Sequence, residues 1–330
     1  MIWRQLTKRF LLIPSKCHYS ISLYFTQTSK LPTMCKDEVI VVTGGSGFLG
    51  QHIVHLLQTQ ENSIKEIRIF DVKPYKKFLD HDDVKPVREI IGDICDPYEM
   101  KNALRGADAV IHIAGLVSFS TFPQFDEMNR INISGTKNVV TTCIEENVQR
   151  LIFCSTVDVV IGFDDIVNGT EETTTTPSKF LFPGYPESKH KAEQLVIRSN
   201  GTYLTNGQKL HTISLRPNVM YGEGDPFMIT AALKSAKETF GWVIRVGDGS
   251  ALFQKTYAGN VAWAFLKANE ALRLNPDSVG GHFFFIPDET PIQNIFDSLH
   301  PYLTPAFSVF ISFSAFLLFV ALRDCPHEDT

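Results

Sequence analysis

The stretch Glu38-Val-Ile-Val-Val-Thr-Gly-Gly-Ser-Gly-Phe-Leu-Gly50 limits what this chain can fold into more than any other. Val39 to Val42 form an unbroken run of β-favouring apolar residues, the pattern of a parallel strand covered on both faces. Gly44, Gly47 and Gly50 follow in the spacing G-x-x-G-x-x-G. In that spacing the first glycine permits the tight turn out of the strand. The second lets backbone approach a pyrophosphate, and the third lets the next helix lie close to the sheet. That helix, roughly Gln51 to Leu57, aims its N-terminal amides at phosphate. A glycine pattern alone is weak, but a second strand-like run, Glu66 to Phe70, ends at Asp71, about twenty residues on as a dinucleotide site requires. An acid there holds a ribose 2′-hydroxyl and repels the extra phosphate of NADP, so the expected cofactor is NAD. Lys73, Lys76 and Lys77, just beyond, soften that preference.

The body continues in alternation. Val87 to Ile91 reads as a third strand ending at Gly92-Asp93, where Asp93 and Ile94 are placed to meet an adenine ring. Pro97 to Leu104 suits a helix with proline in its first turn. Ala109 to Ile113 is a fourth strand, followed by the small residues Ala114 and Gly115, against which a nicotinamide ribose fits. Phe125 to Val148 reads as a long helix interrupted at Ser134-Gly135. Leu151 to Cys154 is a fifth strand, with Ser155 and Thr156 at its C-terminal end, and His211 to Leu215 a sixth. Strands alternating with helices predict an α/β, doubly wound parallel sheet that binds ligand at its carboxyl edge. From residue 216 on, the alternation fades and aromatic residues, among them Phe227, Trp242, Phe253, Tyr257 and Phe283 to Phe285, suggest a small substrate lobe. The expected division is a basic extension over 1–35, a catalytic domain over 36–301 and a terminal segment over 302–322.

Tyr185-Pro-Glu-Ser-Lys189 is the second strong signal. Four residues apart on a helix, Tyr185 and Lys189 share a face. An ammonium beside a phenol lowers its pKa, and such a phenol can take the proton of an alcohol while hydride leaves to NAD⁺. A hydroxyl from Ser155 or Thr156 is placed to hold the substrate oxygen. Alone, this pattern most often marks an exposed helix pair; here it follows a dinucleotide fingerprint.

Composition excludes some classes. Net charge is −5, so no basic field suits nucleic acid. Six scattered cysteines lack a C-x-x-C pair, which argues for a reducing compartment and against a metal site. No acid precedes Asp37, while Arg4, Lys8, Arg9, Lys16, Lys30 and Lys36 are basic, a composition like a mitochondrial presequence; a true start at Met34 is the other reading. Ala306 to Leu322 carries no charge, and with Tyr302 to Thr304 it is long enough to cross ~30 Å of hydrocarbon as a helix.

Together Thr43-Gly-Gly-Ser-Gly-Phe-Leu-Gly50, Gly92-Asp93, Ser155-Thr156, Tyr185-Pro-Glu-Ser-Lys189 and Arg216-Pro-Asn-Val-Met-Tyr-Gly222 resemble the extended short-chain dehydrogenase/reductase family. Within it the chain looks most like the 3β-hydroxysteroid dehydrogenase/Δ5-4 isomerase group, which Gly259 to Ala264 and Phe285 to Pro291 also resemble. The resemblance implies Tyr185 as acid/base, Lys189 as its partner, and Thr156, with Ser155 beside it, in the place of the family's catalytic serine. It implies an NAD site made by Gly44, Gly47, Phe48, Leu49, Gly50, Asp71, Asp93, Ile94, Ala114, Tyr185, Lys189 and Pro217. It further implies a steroid or sterol substrate, a homodimer, and a place in a membrane: the endoplasmic reticulum, or the mitochondrion if the basic extension is a presequence. A sterol-4α-carboxylate 3-dehydrogenase, a nucleotide-sugar epimerase or reductase, and a non-catalytic NAD-binding scaffold are the competing readings. The group that an isomerase step needs is not placed by the sequence.

Overall fold

The computed structural model describes residues 10–11, 37–118, 123–239, 242–246, 250–303 and 309–313. Its centre is a seven-stranded, all-parallel sheet. In chain order the strands are β1 (Glu38–Thr43), β2 (Ile64–Asp71), β3 (Val87–Ile91), β4 (Ala109–His112), β5 (Arg150–Cys154), β6 (His211–Pro217) and β7 (His282–Ile286). Across the sheet they run β7-β6-β5-β4-β1-β2-β3. Strand order therefore reverses at β1, between β2 on one side and β4 on the other. That switch point is where a sheet of this kind opens a crevice at its carboxyl edge.

Alternate residues of each strand feed two apolar layers. Ile40, Val42, Ile67, Ile69, Ile111 and Ile152 face helices α1 (Phe48–Gln60) and the late helix Ala258–Leu274. Val39, Val41, Phe70, Val110, Leu151 and Phe153 face α2 (Pro97–Leu104), α3 (Thr136–Glu145) and α4 (Tyr185–Arg198). Both faces are covered at the centre of the sheet, which is why Val39–Val42 and Leu151–Cys154 read as unbroken apolar runs, whereas the edge strand Val87–Ile91 is largely exposed. Asp96 caps α2, accepting from the amides of Tyr98 and Glu99, with Pro97 in the first turn.

The long helix expected over 125–148 is three segments in continuity: Phe125–Met128, a π-helical stretch Asn129–Gly135, and α3. The widened turns end at Ser134-Gly135, where the sequence pattern is interrupted. A Cβ on Gly135 would lie 2.6 Å from Ile94 Cδ1, so glycine is what lets this helix approach the loop after β3.

Two glutamines of α1, seven residues apart, reach across to the irregular loop between β2 and β3. Gln51 donates to the Lys76 carbonyl at 2.9 Å. Gln58 donates to the Lys85 carbonyl at 2.9 Å and accepts from the Lys85 amide at 2.8 Å. Both side chains are buried.

The later third of the chain differs from its sequence reading. The Phe283–Phe285 aromatics belong to β7 and extend the main sheet, with β7 parallel to β6. Ala258–Leu274 returns to the sheet beside α1. Its small residues Ala262, Ala264, Ala268 and Ala271 sit in the same apolar layer. A two-strand pair, Val219–Tyr221 with Lys255–Tyr257, carries the chain away from and back to the sheet. Of the stretch 302–322 read as a membrane-crossing helix, Tyr302 and Leu303 close the helix Ile295–Leu303. Val309–Phe313 is extended and pairs in parallel with Trp242–Val246, in keeping with the β-branched and aromatic residues there. The rest of that stretch, and all of the basic extension but residues 10–11, lies outside the described residues. No helix among the described residues is long and apolar enough to cross a membrane.

Candidate active site

A cleft of ≈ 590 Å³ opens at the carboxyl edge of the sheet, over the switch point. Its floor at β1 is the glycine turn. Gly44 has φ +77°, and a Cβ there would come within 2.8 Å of the Ala114 backbone. A Cβ on Gly50 would lie 2.4 Å from the Gly44 carbonyl. The turn is thus closed against α1 as only glycine allows. Phe48 and Leu49 begin that helix and line the cleft with Gly47.

Asp71 ends β2 beside this turn. Its carboxylate accepts from the Ser46 amide and the Lys73 amide, both at 3.0 Å. The acid therefore holds the glycine loop as well as facing the cleft. At the tip of β3, Asp93 accepts from the Cys95 amide at 2.9 Å and from Arg130 Nη1 at 2.8 Å. Burial opposes its charge, but the Arg130 and Cys95 hydrogen bonds hold its carboxyl below the usual range. Arg130 in turn pairs with Glu127 at 2.7 Å. Neither Arg130 nor Glu127 was singled out from the sequence, although both line the cleft next to Ile94.

The β4 end carries a buried network with no sequence signal of its own. Thr136 donates its hydroxyl to the Asn132 carbonyl at 2.6 Å and lies 3.0 Å from His112 Nε2. His112 Nε2 must then be the donor, leaving Nδ1 to accept from Thr43 Oγ1 at 2.7 Å. Burial, with the Lys189 charge, pushes the His112 pKa down to about 3, so the imidazole is neutral. From the π-helical turn, Asn132 bonds the Leu116 amide at 2.7 Å, the Leu116 carbonyl at 3.0 Å and Ser188 Oγ at 2.9 Å. It thereby ties the Ala114–Leu116 loop to α4.

Tyr185 begins α4, after Gly184 at φ +83° and before Pro186. Tyr185 and Lys189 are 8% and 4% exposed, so they are not an exposed helix pair. Lys189 Nζ stands 4.2 Å over the Phe153 ring. Burial lowers the Lys189 pKa, offset in part by Cys154 and Glu193. The phenol departs from its sequence expectation: its pKa is raised well above 10. Burial is the first cause, the Asp158 and Cys154 charges add to it, and a hydrogen bond with Thr156 opposes it.

Ser155 and Thr156 follow β5 into the same cleft, and their hydroxyls differ in kind. Thr156 bonds Tyr185, donates to Asp158 Oδ2 at 2.9 Å and accepts from the Asp158 amide at 3.2 Å. Ser155 Oγ is buried without a hydrogen-bond partner among the described residues. So is Asn218 Nδ2, just past Pro217 at the neighbouring strand end. Met220, Phe227, Leu116 and Val117 give this end of the cleft an apolar wall.

Every residue expected from the sequence to contact cofactor or substrate lines this one cleft. The residues fit NAD. A glycine cradle lies at the N-terminus of α1, an acid at the tip of β2, and unpartnered buried polar atoms where the nicotinamide end would lie. Among the described residues no His/Cys/Asp/Glu group is arranged for a metal.

The family model for the 3-beta hydroxysteroid dehydrogenase/isomerase family matches residues 41–309. Among curated proteins, 3 beta-hydroxysteroid dehydrogenase type 7 of Mus musculus is 32% identical over 284 residues, 84% of this chain and 74% of that protein. The Homo sapiens protein of the same name is 33% identical over 272 residues, 81% of this chain and 73% of its own. Among solved structures, MoeE5 in complex with UDP-glucuronic acid and NAD aligns with TM-score 0.65 at 25% identity, over 84% of this chain and 85% of that one. A dTDP-glucose 4,6-dehydratase double mutant from Streptomyces venezuelae with NAD bound aligns with TM-score 0.66 at 20% identity, over 83% and 84%. With the glycine turn, the Tyr185–Lys189 pair and these matches together, the chain belongs to the 3-beta hydroxysteroid dehydrogenase/isomerase family and is an NAD-dependent oxidoreductase.

Proposed function

We propose that the protein oxidises the 3β-hydroxyl of a steroid or sterol, with NAD⁺ as hydride acceptor. The observation that carries this reading is the single cleft that joins a dinucleotide cradle to the buried Tyr185, Lys189 and Thr156 beside an apolar wall. When bound, NAD⁺ supplies the hydride acceptor. Gly44, Gly47 and Gly50 would hold its pyrophosphate, with Phe48 and Leu49 beside it. Asp71 would hold the adenosine ribose, Asp93 and Ile94 the adenine, and Ala114, Lys189 and Pro217 the nicotinamide end. Tyr185 takes the alcohol proton and Thr156 keeps the phenol in place. Ser155, with its free hydroxyl, is the better placed of the two hydroxyl residues to meet a substrate oxygen.

NADH formation with a panel of 3β-hydroxysteroids, 4α-carboxysterols and UDP-sugars tests the reading. Turnover of the first class alone supports it; turnover of UDP-sugars alone replaces it with the nucleotide-sugar reading, which the MoeE5 complex with UDP-glucuronic acid fits.

Asp71 leads to a cofactor prediction. NAD should be preferred over NADP by at least about tenfold in kcat/KM, or ~1.4 kcal/mol. Asp71→Ala should narrow that gap and, through the lost Ser46 and Lys73 amide bonds, weaken both cofactors. Equal use of NAD and NADP by the unaltered protein would remove Asp71 from the ribose site.

Membrane association is part of the proposal and rests on composition, the uncharged run from 303 to 322. A chain ending at Pro301 should leave the carbonate-resistant membrane fraction. One that starts at Met34 should stay in it. Retention of the shortened chain places any anchor elsewhere.

A further inference from the structure

One end of the cleft takes no part in the oxidation itself. At the tip of β3, Asp93, Ile94, Glu127, Arg130 and Ile131 line it together. Strand β2, with Asp71, stands between this end and the glycine turn. Arg130 is the second residue of the π-helical stretch Asn129–Gly135, and widened turns of that kind recur at functional sites. Its guanidinium is held from two sides. Nε and Nη2 donate to the two oxygens of Glu127 at 3.0 and 2.7 Å, a bidentate fork. Nη1 donates to Asp93 Oδ2 at 2.8 Å. The other oxygen of Asp93, Oδ1, accepts from the Cys95 amide at 2.9 Å. Asp93 is thereby pinned at both oxygens, and its carboxylate keeps further lone pairs unspent. The Arg130 side chain is 46% exposed, and an ion pair so open to water adds little to the stability of a fold. What this one does is fix a direction.

We infer that Arg130, braced by Glu127, is a positioning residue that keeps the Asp93 carboxylate aimed at the 6-amino group of the cofactor's adenine, so that this clasp sets the preference for adenine over other bases. The inference rests on the reading that places adenine at Asp93. A 6-amino group donates, and a carboxylate only accepts. A base with a carbonyl at that position sets acceptor against acceptor, and the carboxylate is left desolvated without a donor. A carboxylate free to swing turns away from such a mismatch. One pinned by Arg130 and the Cys95 amide cannot, so the clasp makes a tolerant acid selective. Arg130 acts through Asp93 and takes no part in hydride or proton transfer.

Charge follows the same geometry. The groups that face Asp93 are Arg130 and Glu127 on the helical segment opposite, Cys95 on its own turn, and Glu99 of α2, which accepts the Asp93 amide at 2.7 Å. Arg130 is the one cation among these four. Burial raises the Asp93 carboxyl, and the Arg130 and Cys95 hydrogen bonds more than offset it, so the group stays below the usual carboxylate range. Without Arg130, burial meets less opposition and the carboxyl moves up. The protonated fraction then grows as pH falls, and a protonated acid is a poorer acceptor for an amine.

The probes are NADH, reduced nicotinamide hypoxanthine dinucleotide and ADP-ribose, read without substrate by fluorescence and calorimetry. The unaltered protein should bind NADH at least about tenfold more tightly than the hypoxanthine dinucleotide, with little change between about pH 5 and pH 8. Arg130→Met keeps the apolar stem and loses the donors. It should weaken NADH and ADP-ribose alike by about tenfold and bring the adenine preference to within about threefold. Its NADH affinity should also fall further on acidification, a response that lost packing alone does not produce. In turnover the loss should appear in KM for NAD rather than in kcat. Asp93→Asn, whose amide both donates and accepts, should abolish the preference. If it does so while Arg130→Met keeps the full preference and a flat pH response, the clasp is overturned and the adenine site stands. If neither variant alters the preference, adenine lies elsewhere and the clasp falls with that reading. Arg130→Gln gives the same test should Arg130→Met fold poorly.

Discussion

Replacement of Tyr185 by Phe is expected to lower turnover of a 3β-hydroxysteroid by ~10² to 10⁴, the range that loss of a positioned proton-transfer group covers. The variant keeps the buried ring and the start of the helix, so the fold should persist. What goes is the hydroxyl between substrate and Thr156. NADH affinity should change little, since the glycine turn, Asp71 and Asp93 are untouched. Steady-state rates with NADH binding measured by fluorescence check both halves. Turnover at the original rate would remove Tyr185 from the chemistry altogether.

The second large effect is expected away from the cleft, at Glu193. This residue lies on α4 two turns past Tyr185 and is fully buried. It accepts from Arg216 Nη2 at 2.6 Å, Arg216 Nε at 2.9 Å and Ser214 Oγ at 2.8 Å. The Arg216 guanidinium is stacked 3.5 Å over the Phe283 ring. Glu193→Ala strands a buried guanidinium and a buried hydroxyl, which typically costs ~3 to 5 kcal/mol. Thermal denaturation should show a Tm lower by on the order of 10 °C. The paired change Glu193→Leu with Arg216→Met should recover most of the loss, because an apolar pair of similar volume does not need the desolvated charges. A single variant as stable as the original would show that water reaches Arg216 in solution.

The fold was legible where local chemistry repeats globally. The runs at 39–42, 66–70, 87–91, 109–113, 151–154 and 211–215 are rich in β-branched and other apolar residues, and each became a strand of the sheet. Pro97 announced the start of α2 to the residue. Beyond residue 216 the signal failed for a physical reason. His282–Ile286 is an edge strand rich in phenylalanine, and aromatic runs serve a lobe as well as a sheet edge. Ala258–Leu274 packs through alanines, which leave a weak apolar stripe. Within the cleft, the glycine turn and Tyr185–Lys189 were legible because their spacing is fixed by chain geometry. Asn132, His112 and Asp158, which stand behind the residues that line the cleft, were not. Each acts through a partner distant in sequence or hidden in a short turn, and no spacing rule reports that Thr156 has given its hydrogen to Asp158.

The two glutamines of α1 have a consequence for how the cofactor end of the cleft behaves. An irregular loop of this length ordinarily surrenders much of its freedom when a ligand arrives, and affinity drops accordingly. Here Gln51 and Gln58 present amide groups to the loop backbone as a neighbouring strand would, one donor and one acceptor each. The helix thus serves as a surrogate ladder for the segment that follows Asp71, so most of its ordering is complete in the folded protein before any nucleotide is present. The adenosine half of a dinucleotide would then meet a preformed rim, and slow amide exchange at Lys85 would set this loop apart from ordinary surface turns.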